Sequence, residues 1–470
     1  MKKRAFSAFA FLAVMAFAAG AFAWPSVYPV GTTVYKPDKA FNGYTLYSYM
    51  GVNGPMKAFY DTPSFMYLID MSGKVVHTWK LPLPAMHGEL LPNGNLICSG
   101  RDKVMDTPDR PGKCKYWMGG GTGWLFELDW DGNIVFQYRD QNMHHDFEKL
   151  PNGNYMYIGW EQVQKELQKK VRGGVIGTEH KGGVMWNDYL REITPDGKVV
   201  WEWHANAHMD PDIDIMGPIH HRNEWLHCNN VDLTANGDIL IDGRHTDGMM
   251  IIDKKSGDIK WRWGNEAYLD KKTGRIEMHH FPDGENGVGH VTMGGPHDCN
   301  EIEPGLPGAG NIICFDNGMY ADISRAVEVD PKTGKVAWES DGKSWSRIFY
   351  SNFISSAQRL PNGNTLLCSG GEGQFREYTR DHELVWEYIA PTPDNIIPMA
   401  GASVFRINRY GQDYAPQLKA LGSAKGPAVI PPAINTLKVA TGGVQEAGTA
   451  TGADEEKQGE EEDGPKFKAY

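Results

Sequence analysis

Beyond its first two dozen residues the 470-residue sequence has no apolar run long enough to cross a bilayer. Helical periodicity is scarce. The one good stretch is 160–171 (WEQVQKELQKKV), predicted as a short amphipathic insertion. No GxxxxGK[ST] loop occurs, which removes the usual cradle for a nucleotide phosphate. The nearest glycine-rich run, 119–123 (GGGTG), is not followed by Lys-Ser/Thr and reads as a strand connection. No basic stripe suggests nucleic acid. The net charge of −12 owes much to seven acidic residues in 454–463 (DEEKQGEEED), so the body of the chain is only mildly acidic.

Residues 1–23 read as an export signal rather than as part of the fold. A basic start (MKKR) precedes a mostly apolar segment, and Ala21-Phe22-Ala23 makes a small-x-small cleavage site before Trp24. Export through a bacterial inner membrane, to the periplasm, is the expected consequence. At the other end, 421–470 is a low-complexity acidic tail. From about Thr441 its Gly, Ala and Glu residues cannot offset the entropy of ordering, so disorder is expected there. The folded body is expected over 24–420.

What the chain does have is glycine (55), tyrosine (20) and tryptophan (15), and the body arranges them in repeats. An apolar run, a turn and a closing aromatic occur six times: YLIDMSGKVVHTW (67–79), LFELDWDGNIVFQY (125–138), LREITPDGKVVWEW (190–203), MIIDKKSGDIKWRW (250–263), AVEVDPKTGKVAWE (326–339) and FREYTRDHELVWEY (375–388). A second signature alternates with it: LLPNGNLICSG, KLPNGNYMYIG, LTANGDILIDG, AGNIICFDNG and RLPNGNTLLCSG. Each pair makes one four-stranded antiparallel sheet, which cannot bury both faces alone, so the copies must stack. An all-β, six-bladed β-propeller with loop insertions at 160–188, 204–224 and 264–296 is therefore predicted. Residues 43–50 serve in this reading as an irregular sixth inner hairpin.

Histidines stand before four of the inner hairpins: His87, His144 with His145, His227, and His297. The last blade has Ser355-Ser356 there instead. One such histidine would read as a satisfied polar residue. Four at similar repeat positions point to imidazoles converging near the axis, where they can act as ligands, bases or nucleophiles. Arg325, just before the outer hairpin of the blade that carries His297, offers a rigid fork of donors for a tetrahedral oxyanion, and Arg244 is a second candidate.

Two other chemistries compete. His204 and His208, then Asp210, Asp212, Asp214 and His220-His221, could bind a metal from one inserted loop, as could His279-His280 in the next. No helix is predicted to put His204 and His208 on one face, however, so solvated loops at the channel mouth are the preferred reading and no metal is assigned. Cys98, Cys314 and Cys368 occupy nearly the same strand site in three blades and read as packing thiols. Cys228 and Cys299 could pair or stay free.

The segments EWLHCNNVDL…DGRH…IDKKSGDIKWRWG, GGPHDCN…NIICFDNG and SRAVEVDPKTGKVAW together resemble the bacterial aryl-sulfate sulfotransferases that do not use PAPS, over nearly the whole chain except the tail. The resemblance implies a six-bladed propeller that moves a sulfuryl group from an aryl sulfate to a phenol through a sulfated histidine. It matches His227, His297 and Arg325 to residues that bind the group, and it allows a disulfide without fixing one. It calls for no cofactor and no partner beyond small phenolic and aryl-sulfate substrates, with a homodimer left open. One departure stands out. The family's nucleophilic histidine belongs to the last blade, and residues 369–375 (SGGEGQF) contain none, while His382 sits in a hairpin turn. The covalent step then moves to another histidine, with His145 first and His87 second, or is lost. The alternatives are a metal-assisted hydrolase of sulfate or phosphate esters and a binding propeller without chemistry.

Overall fold

The computed structural model describes residues 30–50, 63–102, 119–180, 182–264, 267–278, 293–340, 343–344, 347–391 and 403–426. The chain divides into units 1–435 and 436–470, and every described residue belongs to the first. The export signal, 427–470 of the expected tail and His279-His280 lie outside the described residues; at the start of that tail Ala424 is buried and accepts the Met71 N–H (3.1 Å).

Six antiparallel sheets make the six blades. Blade 2 shows the pattern: Gly88–Leu90 innermost, then Leu96–Arg101, Gly123–Leu128 and the outer Ile134–Arg139. Burial falls outward along it. The second strand is buried on nearly every residue, whereas Ile134 and Val135 of the outer strand are exposed. Two-sided burial explains why second strands read LIC, IIC or LLC rather than alternating. The outer hairpins turn on an Asx pattern. Asp70 Oδ1 accepts N–H bonds from Ser72 (2.9 Å) and Lys74 (3.1 Å), and Gly73 supplies the positive φ of 83°.

The closing aromatics join neighbouring blades. Trp79 of blade 1 donates its indole N–H to the Asp129 carbonyl in the outer turn of blade 2 (3.1 Å). Trp203 reaches Gly257 (2.9 Å), Trp263 reaches Gly334 (2.8 Å), Trp338 reaches Arg380 (2.9 Å) and Trp386 returns to Met71 of blade 1 (2.9 Å). Between blades 2 and 3 the place is taken by Tyr138, packed against Gly197. Each of these rings fills the wedge between two sheets, and each indole also satisfies a turn carbonyl. The repeated Trp is therefore a joint between blades.

Closure differs from the sequence-based expectation. The innermost strand of blade 1 is Asn408–Gly411, from the far end of the chain, paired with Gly43–Ser48 as second strand. Blade 6 gains a fifth, outermost strand, Gly31–Tyr35, paired with Leu384–Ile389. Both ends of the propeller thus lock the ring by hydrogen bonding to the other end's blade. The Asn408 strand has no outer hairpin after it, so it carries no repeat signature. The predicted helix over 160–171 is mostly absent. Trp160 ends the strand Tyr155–Gln162, and only Lys165–Gln168 forms a single turn. Trp160 is 2% exposed and hydrogen-bonds Glu224, so tertiary burial overrides the helical pattern. The cysteine reading also changes: Cys314 is joined to Cys299 across adjacent strands of blade 5, while Cys98, Cys228 and Cys368 are free and buried. An irregularity in the pairing between His297 and Asn300 brings the two sulfurs together. No helix among the described residues is long and apolar enough to cross a membrane.

Candidate active site

The inner strands of several blades do not start as regular ladder. In blade 3, Phe147 pairs Tyr157 and His144 pairs Ile158, leaving His145 and Asp146 as extra residues in a bulge. His145 has a φ of 48° and His227 of 54°, a conformation costing about 1–3 kcal/mol at a non-glycine residue. The surrounding fold holds it, and the result is to turn both imidazoles into a cavity of about 630 Å³ at one end of the inner strands.

The polar lining of this cavity includes His145, His220, His227, His245, Glu224 and Arg244, and its apolar lining includes Met50, Met86, Phe353 and Phe405. A mixed lining of this kind suits a ligand with an aromatic body and a charged group. Four imidazoles form a continuous row. Ring centroids are 4.9 Å apart for His145–His227, 4.6 Å for His227–His245 and 4.9 Å for His245–His220. Burial drives His145, His227 and His245 well below the usual imidazole range, with neighbouring cationic groups adding to it, so these rings are neutral at pH 7.

The protons on these rings follow from their partners. Asp188 Oδ1 lies 3.0 Å from His144 Nε2, at a poor hydrogen-bond angle, and a carboxylate can only accept. His144 therefore carries its proton on Nε2 and accepts at Nδ1 from His145 Nδ1–H, 2.7 Å away. His145 Nε2 is left with a bare lone pair in a cavity-lining residue. A Cβ built on Gly120 would meet His145 Cε1 and Nε2 at 2.1 Å, so that ring needs a glycine beside it. His227 Nδ1 sits 3.0 Å from Glu224 Oε1, again at a poor angle, and Glu224 Oε2 accepts the Trp160 indole N–H at 3.0 Å. Burial pushes the Glu224 carboxyl up to about 7. His245 donates Nδ1–H to the Glu224 carbonyl (2.7 Å).

Two arginines line the cavity, Arg101, whose Nη1 donates to the Gly121 carbonyl (3.0 Å), and Arg244. Arg244 stands beside the histidine row, directly before His245. Its Nη2 meets only the Asn352 carbonyl (3.3 Å) and the Met319 sulfur (3.6 Å), and no carboxylate among the described residues forms an ion pair with it. Arg325 does not line the cavity. It is engaged by Asp316 (3.1 Å) and Glu339 (2.5 Å). His297 lines the cavity with both ring nitrogens already used. Nε2 accepts the Ile354 N–H (3.0 Å), and Nδ1–H donates to Asn317 Oδ1 (2.7 Å). His87 is 1% exposed and donates Nε2–H to the His145 carbonyl (3.1 Å), beside Asp146 Oδ1 (3.1 Å).

The loop residues weighed as metal ligands go separate ways. His204 contacts Glu161, His208 stacks on Trp203, Asp212 pairs with Arg172 and Asp214 with Arg262. Among the described residues one acidic group has ligand-like spacing, His87 with Glu89 and Asp146. Arg406 already stands in it, 2.9 Å from Asp146 Oδ2 and 3.3 Å from Glu89 Oε1. Burial favours protonated Asp146, yet Arg406 and His87 overcome it and hold the carboxyl at about 2.

His220, His245, Glu224 and Asp247 were not singled out for this cavity from the sequence. His245 had a usable signal, since it follows Arg244 directly in DGRH at the end of an inner hairpin. His220 and Glu224 come from the insertion at 204–224, outside the repeat.

A family model described as "Arylsulfotransferase (ASST)" matches residues 35–406. No curated protein matches the chain. Among solved structures, a Bacteroides caccae protein of unknown function aligns at 11% identity over 78% of this chain and 98% of its own, with a TM-score of 0.43. A catalytically inactive virginiamycin B lyase from Staphylococcus aureus aligns at 10% identity over 77% and 88%, TM-score 0.36. The hydrazine synthase of Kuenenia stuttgartiensis aligns at 10% identity over 67% and 71%, TM-score 0.35. These three likenesses are too distant to bear on activity.

Proposed function

Because this chain belongs to the arylsulfotransferase family, we propose that it transfers a sulfuryl group from an aryl sulfate to a phenolic acceptor in the histidine-lined cavity, through a sulfated His145. The observation that carries the choice of nucleophile is the 2.7 Å contact between His144 Nδ1 and His145 Nδ1, which leaves the His145 Nε2 lone pair bare. In the first step that lone pair forms an N–S bond while the S–O bond to the aryl group breaks, its electrons leaving on the phenolate oxygen. In the second step the acceptor oxygen attacks sulfur and the N–S electrons return to Nε2. Splitting the transfer in two is the usual gain from a covalent intermediate.

The other residues then have distinct roles. Arg244 meets the sulfuryl oxygens, and preorganised donors of this kind are worth about 10²–10³ in rate each. His227 is a second sulfuryl contact. His87 orients His145 through its carbonyl, and His297 holds the Ile354 segment that borders the cavity. Arg325 braces Asp316, which accepts the Gly294 and Gly318 N–H groups at 2.9 Å, rather than touching substrate. Action in the periplasm follows from the export signal read at 1–23.

Mass spectrometry of protein quenched after exposure to a nitrophenyl sulfate without acceptor tests the reading. An adduct of about 80 daltons on the His145 peptide, absent from His145→Ala, is expected. Transfer to phenol without any adduct would replace it with direct transfer. Neither adduct nor transfer would leave a binding propeller.

A further inference from the structure

His220 lies outside every repeat, yet it ends the imidazole row and is hydrogen-bonded to a carboxylate. Its Nε2–H donates to Asp247 Oδ1 at 2.8 Å, and His220 is 2% exposed. Asp247 is itself fixed: Oδ1 accepts the Gly295 N–H (2.9 Å), Oδ2 accepts the Tyr320 hydroxyl (2.6 Å), and its φ is 50°. Gly217 keeps the space in which these groups meet. A Cβ there would lie 1.9 Å from Asp247 Oδ2, 2.5 Å from Tyr320 Oη and 2.9 Å from His220 Cδ2. Three elements thus converge to fix one imidazole: the loop strand Met216–His221, the turn after the second strand of blade 4, and the segment 294–320 from blade 5.

Such fixation is more than burial requires. A carboxylate on one nitrogen fixes the tautomer and stabilises the imidazolium that forms when the other nitrogen takes a proton. Here the other nitrogen, Nδ1, has no hydrogen-bond partner among the described residues, and the residue lines the 630 Å³ cavity. His145, at the other end of the row, has its own separate orienting pair, Asp188 and His144. Two oriented imidazoles facing one cavity match the two requirements of a two-step transfer, a nucleophile and a proton acceptor.

We infer that His220, positioned by Asp247 and Tyr320, is the general base that deprotonates the acceptor phenol. The inference rests on the sulfuryl-transfer reading above. In the step, His220 Nδ1 takes the phenolic proton as the acceptor enters the cavity; the phenolate oxygen then forms its bond to sulfur at the other end of the row, and the N–S pair returns to His145 Nε2. The imidazolium next to Asp247 then gives that proton to the phenolate leaving the next donor, so the cycle closes without outside acid. Asp247 is a positioning residue: it touches His220, not substrate.

The test compares two acceptors with nitrophenyl sulfate as donor: phenol, protonated at neutral pH, and a phenol acidic enough to be ionised at the assay pH. His220→Gln should lose about 10²–10⁴-fold in transfer to phenol, the range for general base catalysis. With the ionised acceptor, which brings no proton, the loss should be at least about tenfold smaller than that. Asp247→Asn should show the same acceptor dependence at smaller amplitude, and it serves if His220→Gln does not fold. Equal losses with both acceptors, or none with either, overturn the role of His220. Wild-type protein that transfers to neither acceptor overturns the sulfuryl-transfer reading itself, a separate result.

Discussion

His144 and His145 are consecutive in the chain, yet their Nδ1 atoms lie 2.7 Å apart with the rings at 87°. Adjacent strand residues normally point to opposite faces. The bulge that sets His145 at a φ of 48° turns its ring back towards its neighbour. A buried imidazole thereby becomes the proton acceptor of a second one. The first prediction concerns this pair. His144→Phe keeps the stacking on Trp160 (4.3 Å) but removes the Nδ1 acceptor, so His145 loses control of its tautomer. Turnover should fall about 10²-fold or more, by the scale of acid–base positioning effects. Steady-state kinetics at unchanged circular dichroism checks it; wild-type turnover would remove His144 from the mechanism.

The two arginines should separate cleanly. Arg244→Lys loses the planar fork in the cavity and should cost about 10²–10³ in kcat with little change in Tm, since among the described residues no carboxylate forms an ion pair with Arg244. Arg325→Lys acts on a partly exposed ion pair and should alter kcat by less than about tenfold. A larger kcat loss for Arg325→Lys would return Arg325 to the sulfuryl site.

Glu224 makes stability depend on pH. Its folded-state pKa is raised to about 7 by burial, above the roughly 4.3 of an unfolded glutamate. Between those values the unfolded chain releases this proton first, so rising pH destabilises the fold until about 7, after which the effect is constant. The buried neutral histidines act in the opposite sense below about 6.5, so the difference between wild type and Glu224→Gln is the quantity to follow. The variant should gain Tm relative to wild type as pH rises from about 4.5 to 7 and hold that gain above it. A difference that stays flat across this range would mean the carboxyl is ionised throughout.

Blade joints should be costly to cut. Trp203 is 1% exposed and donates to the Gly257 carbonyl. Trp203→Phe leaves that carbonyl without its indole partner and opens space in the wedge, so a loss of about 1–3 kcal/mol in denaturant unfolding is expected. A change below about 0.5 kcal/mol would show that the neighbouring blades close the gap themselves.

How much of this was legible in the chain depends on whether a feature repeats. The blade number followed from local chemistry written several times over: Asn-Gly and Asp-Gly turns at a steady offset from apolar runs, each closed by an aromatic. Only a ring of stacked sheets satisfies such runs. The positions of His145 and His227 were readable for the same reason, because they stand where other blades place similar groups. Closure by Asn408–Gly411 was not readable, since one strand without its hairpin carries no pattern.

Nor could the chain say which arginine faces the cavity. Arg325 and Arg244 both stand at blade positions near histidines, but Asp316 on the neighbouring strand and Glu339 on the next take up Arg325, whereas among the described residues no carboxylate pairs with Arg244. Likewise Glu224, His220 and Asp247 lie in insertions or turns whose direction no periodicity dictates. Local sequence determined the strands, their turns and the blades, because those depend on neighbours a few residues away. Hydrogen bonds such as His220 to Asp247, 27 residues apart, and Tyr320 to Asp247, 73 apart, decided the proton chemistry, and they exist only once the blades have met.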